Sequence, residues 1–143
     1  MEIITQSALQ TQQTGRILSE EIIKSNFVRK KALVIGLCGE LGAGKTTFIQ
    51  GFAKGLGIKE QITSPTFVIL KNYNIPCWSF YHIDCYRLTK SKDLIDLDFK
   101  EIINKPKNII VIEWAGRVKK VLPKNTLWMK FEYLDKDKRK ITL

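Results

Sequence analysis

Residues 39–46, Gly39-Glu40-Leu41-Gly42-Ala43-Gly44-Lys45-Thr46, match G-x-x-x-x-G-K-[ST] in full. Each residue type in that pattern has a physical task. Glycines permit positive φ and carry no side chain, so consecutive backbone N–H groups can surround an anion. A helix that starts where the loop ends adds its dipole and unpaired N–H groups at the same place. Lys45 supplies a positive charge to the β and γ phosphates of a nucleoside triphosphate, and the Thr46 hydroxyl is a ligand for Mg²⁺. The nucleotide-binding segment is therefore read as Gly39 through Thr47, with Glu40, Leu41 and Ala43 contributing backbone.

Such a loop needs a carboxylate at the end of a neighbouring strand to hold the metal, directly or through water. Two segments offer one. Ile109-Ile110-Val111-Ile112-Glu113 is an apolar run closed by Glu113, and Phe80-Tyr81-His82-Ile83-Asp84 ends on Asp84. Both side chains are placed at the metal and the attacking water. His82 falls on the strand face of Asp84, where a hydrogen-bonded structural role is favoured over a catalytic one. A GTPase would carry Asn-Lys-x-Asp; here Asn104-Lys105-Pro106-Lys107 puts lysine where the guanine-reading carboxylate belongs. ATP is the expected nucleotide.

The elements that must position these groups follow from hydrophobic periodicity. Residues 32–38 (ALVIGLC) form a short continuous apolar run, the mark of a strand buried on both faces. It leads straight into the loop. Phe48, Ile49, Phe52, Ala53 and Leu56 then recur on one helix face, and Gly57 is placed to end that helix. At the N-terminus residues 3–5 read as a strand. Ser7 with Gln10 opens a helix whose apolar positions are Ile17, Leu18 and Ile22. Residues 66–73 and 77–85 read as a hairpin about Asn74-Ile75-Pro76, and 91–105 as one or two short helices stopped by Pro106. Residues 108–114 form a further strand, and 127–134 with 138–143 a closing hairpin about Asp135-Lys136-Asp137. The pattern predicts an α/β fold of the P-loop NTPase type, a mixed central sheet flanked by helices, in one domain spanning residues 1–143.

Composition sets the outer bounds. The chain has 143 residues, 44% hydrophobic and 27% charged, so wholesale disorder is excluded. No apolar run approaches the ~20 residues of a membrane span, and no leader pattern opens the chain, so cytoplasmic residence without a membrane partner is expected. Cys38, Cys77 and Cys85 lack metal-ligand spacing and His82 is the single histidine, which argues against zinc; the cysteines are expected to be reduced and mostly buried. The net charge of +10 is concentrated toward the C-terminal end, but lysine far outnumbers arginine. That favours a solvated face over a dedicated nucleic-acid site.

Taken in order, these motifs closely resemble one family, the small bacterial ATPase TsaE (YjeE). The resemblance rests on Thr11-x-x-x-Gly15, the phosphate loop, Ser64-Pro65-Thr66-Phe67, His82-Ile83-Asp84-Cys85-Tyr86-Arg87-Leu88, Ile112-Glu113-Trp114 and the late Leu122-Pro123. It implies a Mg²⁺-dependent ATPase required for threonylcarbamoylation of adenosine 37 in tRNAs reading codons that start with adenine. The family's ATP hydrolysis resets the TsaB–TsaD complex, and tRNA is met through that complex. By the same resemblance Thr46, Glu113 and Asp84 serve the metal, and Lys45, Asp84 and Glu113 serve catalysis. Thr66 senses the γ-phosphate within Ser64-Pro65-Thr66-Phe67, while Thr11 lies near the adenine and Trp114 near the nucleotide. A basic residue near the end, Lys138 or Arg139, matches one that approaches the nucleotide, and Arg139 is taken for that place. The alternatives are a small-molecule P-loop kinase and a nucleotide-gated tRNA-binding module.

Overall fold

The computed structural model describes residues 1–63 and 70–143. In chain order the elements are β1 (Glu2–Thr5), α1 (Ala8–Lys24), β2 (Leu33–Cys38), α2 (Lys45–Gly55), β3 (Leu70–Ile75), β4 (Trp78–Asp84), α3 (Ser91–Ile95), α4 (Phe99–Ile103), β5 (Asn108–Glu113), β6 (Leu127–Tyr133) and β7 (Arg139–Thr142). The strands are mixed in direction, as the α/β reading expects. Two compact units interleave in sequence: Met1–Phe27, Cys38–Thr63 and Met129–Leu143 form one, and Val28–Leu37 with Ser64–Trp128 the other.

In the first unit the Ser7 signal is realised. Ser7 is extended, its Oγ accepts from Gln10 N at 3.2 Å, and Gln10 Oε1 accepts from Gln6 N at 2.7 Å. The expected apolar face of α1 is packed only in part, with Leu18 and Ile22 half-buried. Ile17 is 60% exposed, and the buried positions are Thr11, Gly15 and Ser19. Small residues at i, i+4 and i+8 let the α1 and α2 backbones approach closely, and a hydrophobicity pattern does not register them. A Cβ at Gly51 of α2 would overlap the Gln12 carbonyl of α1, and one at Gly15 the Phe48 carbonyl.

Glycine to alanine inside a helix normally gains up to ~1 kcal/mol, whereas overpacking against rigid backbone loses about 1–3 kcal/mol. Gly51→Ala is therefore expected to lower unfolding stability by roughly 1–2 kcal/mol. Chemical denaturation decides the sign: a variant as stable as the native chain refutes the backbone contact. The apolar face expected of α2 is buried as read, through Phe48, Ile49, Phe52 and Ala53. Phe48 meets Phe131 of β6 edge-on at 5.3 Å. The C-terminal hairpin is also present, with β6 and β1 both antiparallel to β7.

In the second unit β2 and β4 both run parallel to β5, and β3 is antiparallel to β4. All six residues of β5 are buried, which accounts for its unbroken apolar sequence. Val34, Ile83, Ile110 and Ile112 share a core with Leu94 of α3 and Phe99 of α4. The β3–β4 turn falls at Pro76-Cys77 rather than about Asn74-Ile75-Pro76, because Asn74 and Ile75 remain in the ladder opposite Ser79 and Trp78. Proline, which lacks a donor, takes the position that needs no ladder bond. The turn leaves Cys77 exposed, so of the three cysteines only Cys85 is fully buried. The strand expected through residue 114 stops at Glu113. Trp114 takes φ +58° and starts a 3₁₀ stretch, Ala115–Val121, that the sequence pattern did not announce. Among the described residues no helix is long and apolar enough to cross a membrane.

Candidate functional site

The loop between β2 and α2 has backbone geometry suited to an anion. Gly39, Gly42 and Gly44 take φ of +147°, +77° and +98°, a backbone that allows N–H groups to converge on an anion. Gly39 is further constrained, since a Cβ there would collide with the Phe131 carbonyl. Gly44 stands immediately before α2, so the first N–H groups of that helix follow the loop directly. Lys45 is almost wholly buried, and its Nζ donates to Gly39 O at 2.5 Å and Glu40 O at 2.9 Å. The ammonium is thus held inside the loop, not extended to solvent. Thr46 and Thr47 are half-buried in the first turn of α2, while Glu40, Leu41 and Gly42 form an exposed tip.

Two residues distant in sequence join this loop within the same unit. Arg139, the first residue of β7, donates from Nε to Gly42 O at 3.1 Å. Its Nη1 reaches the carbonyls of Asp135, Lys136 and Lys138 at 2.8–3.2 Å, and its guanidinium lies 4.6 Å from the Tyr133 ring centroid. Lys138, the other candidate for this place, is exposed. Thr11 is buried, shares a 2.7 Å hydroxyl contact with Thr5, and has its methyl beside Gly44. Arg139 and Thr11 therefore support the loop backbone from two elements.

The second unit gathers the carboxylates. Parallel pairing puts Asp84 opposite Glu113, and on the other side of β5 it puts Leu37 opposite Glu113. Both acids are buried, at 7% and 3% exposure, and each is hydrogen-bonded. Asp84 Oδ1 accepts from Tyr86 N at 2.9 Å, and Glu113 Oε1 meets His82 Nε2 at 2.8 Å. His82 itself is fully buried, in keeping with the hydrogen-bonded role favoured from sequence. Next to Asp84, burial and then the neighbouring carboxylate push the Cys85 thiol up to about 12, so it stays protonated and is no nucleophile. Trp114 meets Tyr86 with centroids 5.0 Å apart and the rings tilted by 55°, and Arg117 covers both rings at 5.3 and 5.4 Å. Sequence reasoning did not single out Arg117; its place three residues after a tryptophan at a strand end was the available signal.

Among the described residues no group of three His, Cys, Asp or Glu side chains converges. Mg²⁺ does not ask for such a cage. It takes hard oxygen donors, commonly one or two carboxylates, with phosphate oxygens and water completing the octahedron. Asp84 and Glu113 are donors of that kind, and the Thr46 hydroxyl is one too. Ser64-Pro65-Thr66-Phe67, including Thr66, lies outside the described residues.

Residues 5–141 match the family described as "Threonylcarbamoyl adenosine biosynthesis protein TsaE". The tRNA threonylcarbamoyladenosine biosynthesis protein TsaE of Treponema pallidum is 36% identical over 143 residues, covering 100% of this chain and 99% of that protein. The Bacillus subtilis protein of the same name is 40% identical over 109 residues, 76% of this chain and 67% of its own length. The crystal structure of Bacillus subtilis YdiB aligns with a TM-score of 0.77 at 29% identity, over 99% of this chain and 82% of that one. The family match opens on the last residue of β1 and closes inside β7, so it takes in every element that carries the side chains above, and the chain belongs to the TsaE family.

Proposed function

We propose that the chain is a Mg²⁺-dependent ATPase, one domain over residues 1–143, that works in the cytoplasm in threonylcarbamoylation of tRNA adenosine 37. There it drives cycling of the TsaB–TsaD complex, through which it meets tRNA. The observation that carries the reading is the ammonium of Lys45 buried among the carbonyls of a loop whose three glycines take positive φ. Family membership gives that loop its place in t6A biosynthesis.

In the proposed mechanism the loop N–H groups from Glu40 to Thr46 and the start of α2 take the phosphates, and Lys45 turns its charge to the β and γ oxygens. Thr11 and Arg139 hold the loop backbone in shape, and Trp114 lies near the nucleotide. Thr46 and Glu113 would hold Mg²⁺, and Asp84 would serve it directly or through water and orient the attacking water. The ion supplies neutralisation of charge on the β and γ phosphates. Thr66 senses the γ-phosphate.

Arg139 has its Nε and Nη1 donors turned to four backbone carbonyls, which supports assigning the arginine that offsets transition-state charge to a partner. Such a residue supplied in trans accelerates other triphosphatases by ~10³–10⁵. The chain alone is accordingly expected to be slow, and addition of the TsaB–TsaD pair to raise steady-state phosphate release at least ~10-fold, a conservative fraction of that range. Equal rates with and without the pair would return the chain to the class of free-standing nucleotide enzymes.

A further inference from the structure

The His82–Glu113 contact joins residues 31 positions apart inside the sheet. The parallel register sets His82 opposite Val111 and Asp84 opposite Glu113, so His82 and Glu113 meet diagonally across neighbouring strands at 2.8 Å. His82 is wholly buried and Glu113 is 3% exposed. An ionised carboxylate only accepts hydrogen bonds, so the proton in this contact sits on His82 Nε2. Nδ1 is buried with no partner among the described residues, which leaves Nε2 as the ring's working atom. Glu113 has three side-chain torsions, and a buried carboxylate without a donor loses several kcal/mol of solvation. The His82 ring, fixed in the sheet, sets a donor against that carboxylate.

We propose that His82 is a positioning residue for catalysis: its Nε2–H locks the Glu113 carboxylate in the orientation that receives the metal of the bound nucleotide. The inference rests on the ATPase reading above. It assigns His82 no contact with nucleotide or metal; the imidazole acts through Glu113. Donors that orient metal-binding side chains are worth 10–100-fold in metal affinity or activity elsewhere.

The test compares His82→Leu, which keeps apolar bulk and removes the donor, with His82→Gln, whose amide nitrogen reaches about as far as Nε2. For H82L we expect kcat to fall ~10–100-fold and half-saturation by Mg²⁺ to rise ~10-fold, with metal-free ATP affinity within about twofold of native. H82Q is expected to recover most of both losses. Calorimetric titration of ATP at several Mg²⁺ concentrations reads the metal effect without turnover. A folded H82L with native kcat and native Mg²⁺ dependence overturns the proposal, and so does an H82Q no better than H82L, since loss of packing alone would then account for both.

His82 is the only histidine in the chain, so the ¹⁵N spectrum of its ring needs no assignment and does not depend on any variant folding. The Nε2–H tautomer is expected in the nucleotide-free native protein, with a resonance that shifts on adding Mg·ATP. An Nδ1–H tautomer, or a resonance unmoved by saturating Mg·ATP, overturns the proposal. A native chain with no Mg²⁺-dependent ATP binding defeats the ATPase reading, and this inference with it; native turnover beside an unaffected H82L defeats this inference alone.

Discussion

Replacing Lys45 with alanine is expected to weaken ATP binding at least ~100-fold while leaving the fold in place. At an effective dielectric of about 20, two unit charges ~4 Å apart attract by roughly 4 kcal/mol, and each 1.4 kcal/mol is a factor of about 10 in affinity. Even after discounting for the backbone N–H groups that remain, the missing ammonium accounts for about two decades. The native protein holds Lys45 Nζ between the Gly39 and Glu40 carbonyls, so the charge is kept inside the loop before a ligand arrives. Alanine has the highest helix propensity and sits here at the first position of α2. The thermal midpoint of the variant should therefore stay within a few degrees of native. Isothermal calorimetry with ATP checks it: near-native affinity in a folded K45A would overturn the phosphate-binding assignment of residues 39–46.

That loop was legible in the sequence because its chemistry is local. Eight consecutive residues carry it, and neither its glycines nor Lys45 depends on distant pairing to be recognised. The strand before it and the helix after it were legible for the same reason: an unbroken apolar run of seven residues suits a buried strand, and a face repeating near 3.6 suits a helix. What stayed hidden depends on contacts across the chain. The α1 face that packs is Thr11, Gly15 and Ser19, and small residues bury little apolar area, so Ile17 and Leu18 drew the eye instead. Arg139 was singled out as approaching the nucleotide; the structure sets it against Gly42 O, 97 positions away, and no periodicity encodes that. His82 was placed correctly on the face of Asp84, yet its partner Glu113 follows only from the parallel register of β4 and β5. The left-handed turn at Trp114 was also invisible, because tryptophan is not a residue type that signals positive φ.

The carboxylates separate binding from chemistry, and here a second large effect is expected. Glu113→Ala should retain ATP within a few-fold of native affinity in the absence of metal, since Lys45 and the loop N–H groups carry that interaction. Turnover should fall by ~10²–10³, about 3–4 kcal/mol of transition-state stabilisation, the loss typical when a preorganised charged or polar group is removed from an active site. Asp84→Ala should show the same split with a smaller change in Mg²⁺ dependence, if its part is to orient the attacking water. Both substitutions remove a hydrogen-bond partner: buried His82 Nε2 loses Glu113 Oε1, and the part-buried Tyr86 N loses Asp84 Oδ1. Some destabilisation, about 1–3 kcal/mol, should accompany each. Glu113→Gln and Asp84→Asn keep the shape and an acceptor oxygen while removing the charge, which separates the two effects. Turnover that is lost in the amide variants but keeps near-native thermal stability assigns the defect to charge at the metal. Native turnover in Glu113→Gln removes Glu113 from the mechanism, and native turnover in Asp84→Asn removes Asp84. Single-turnover phosphate release, with nucleotide affinity measured separately, distinguishes these results.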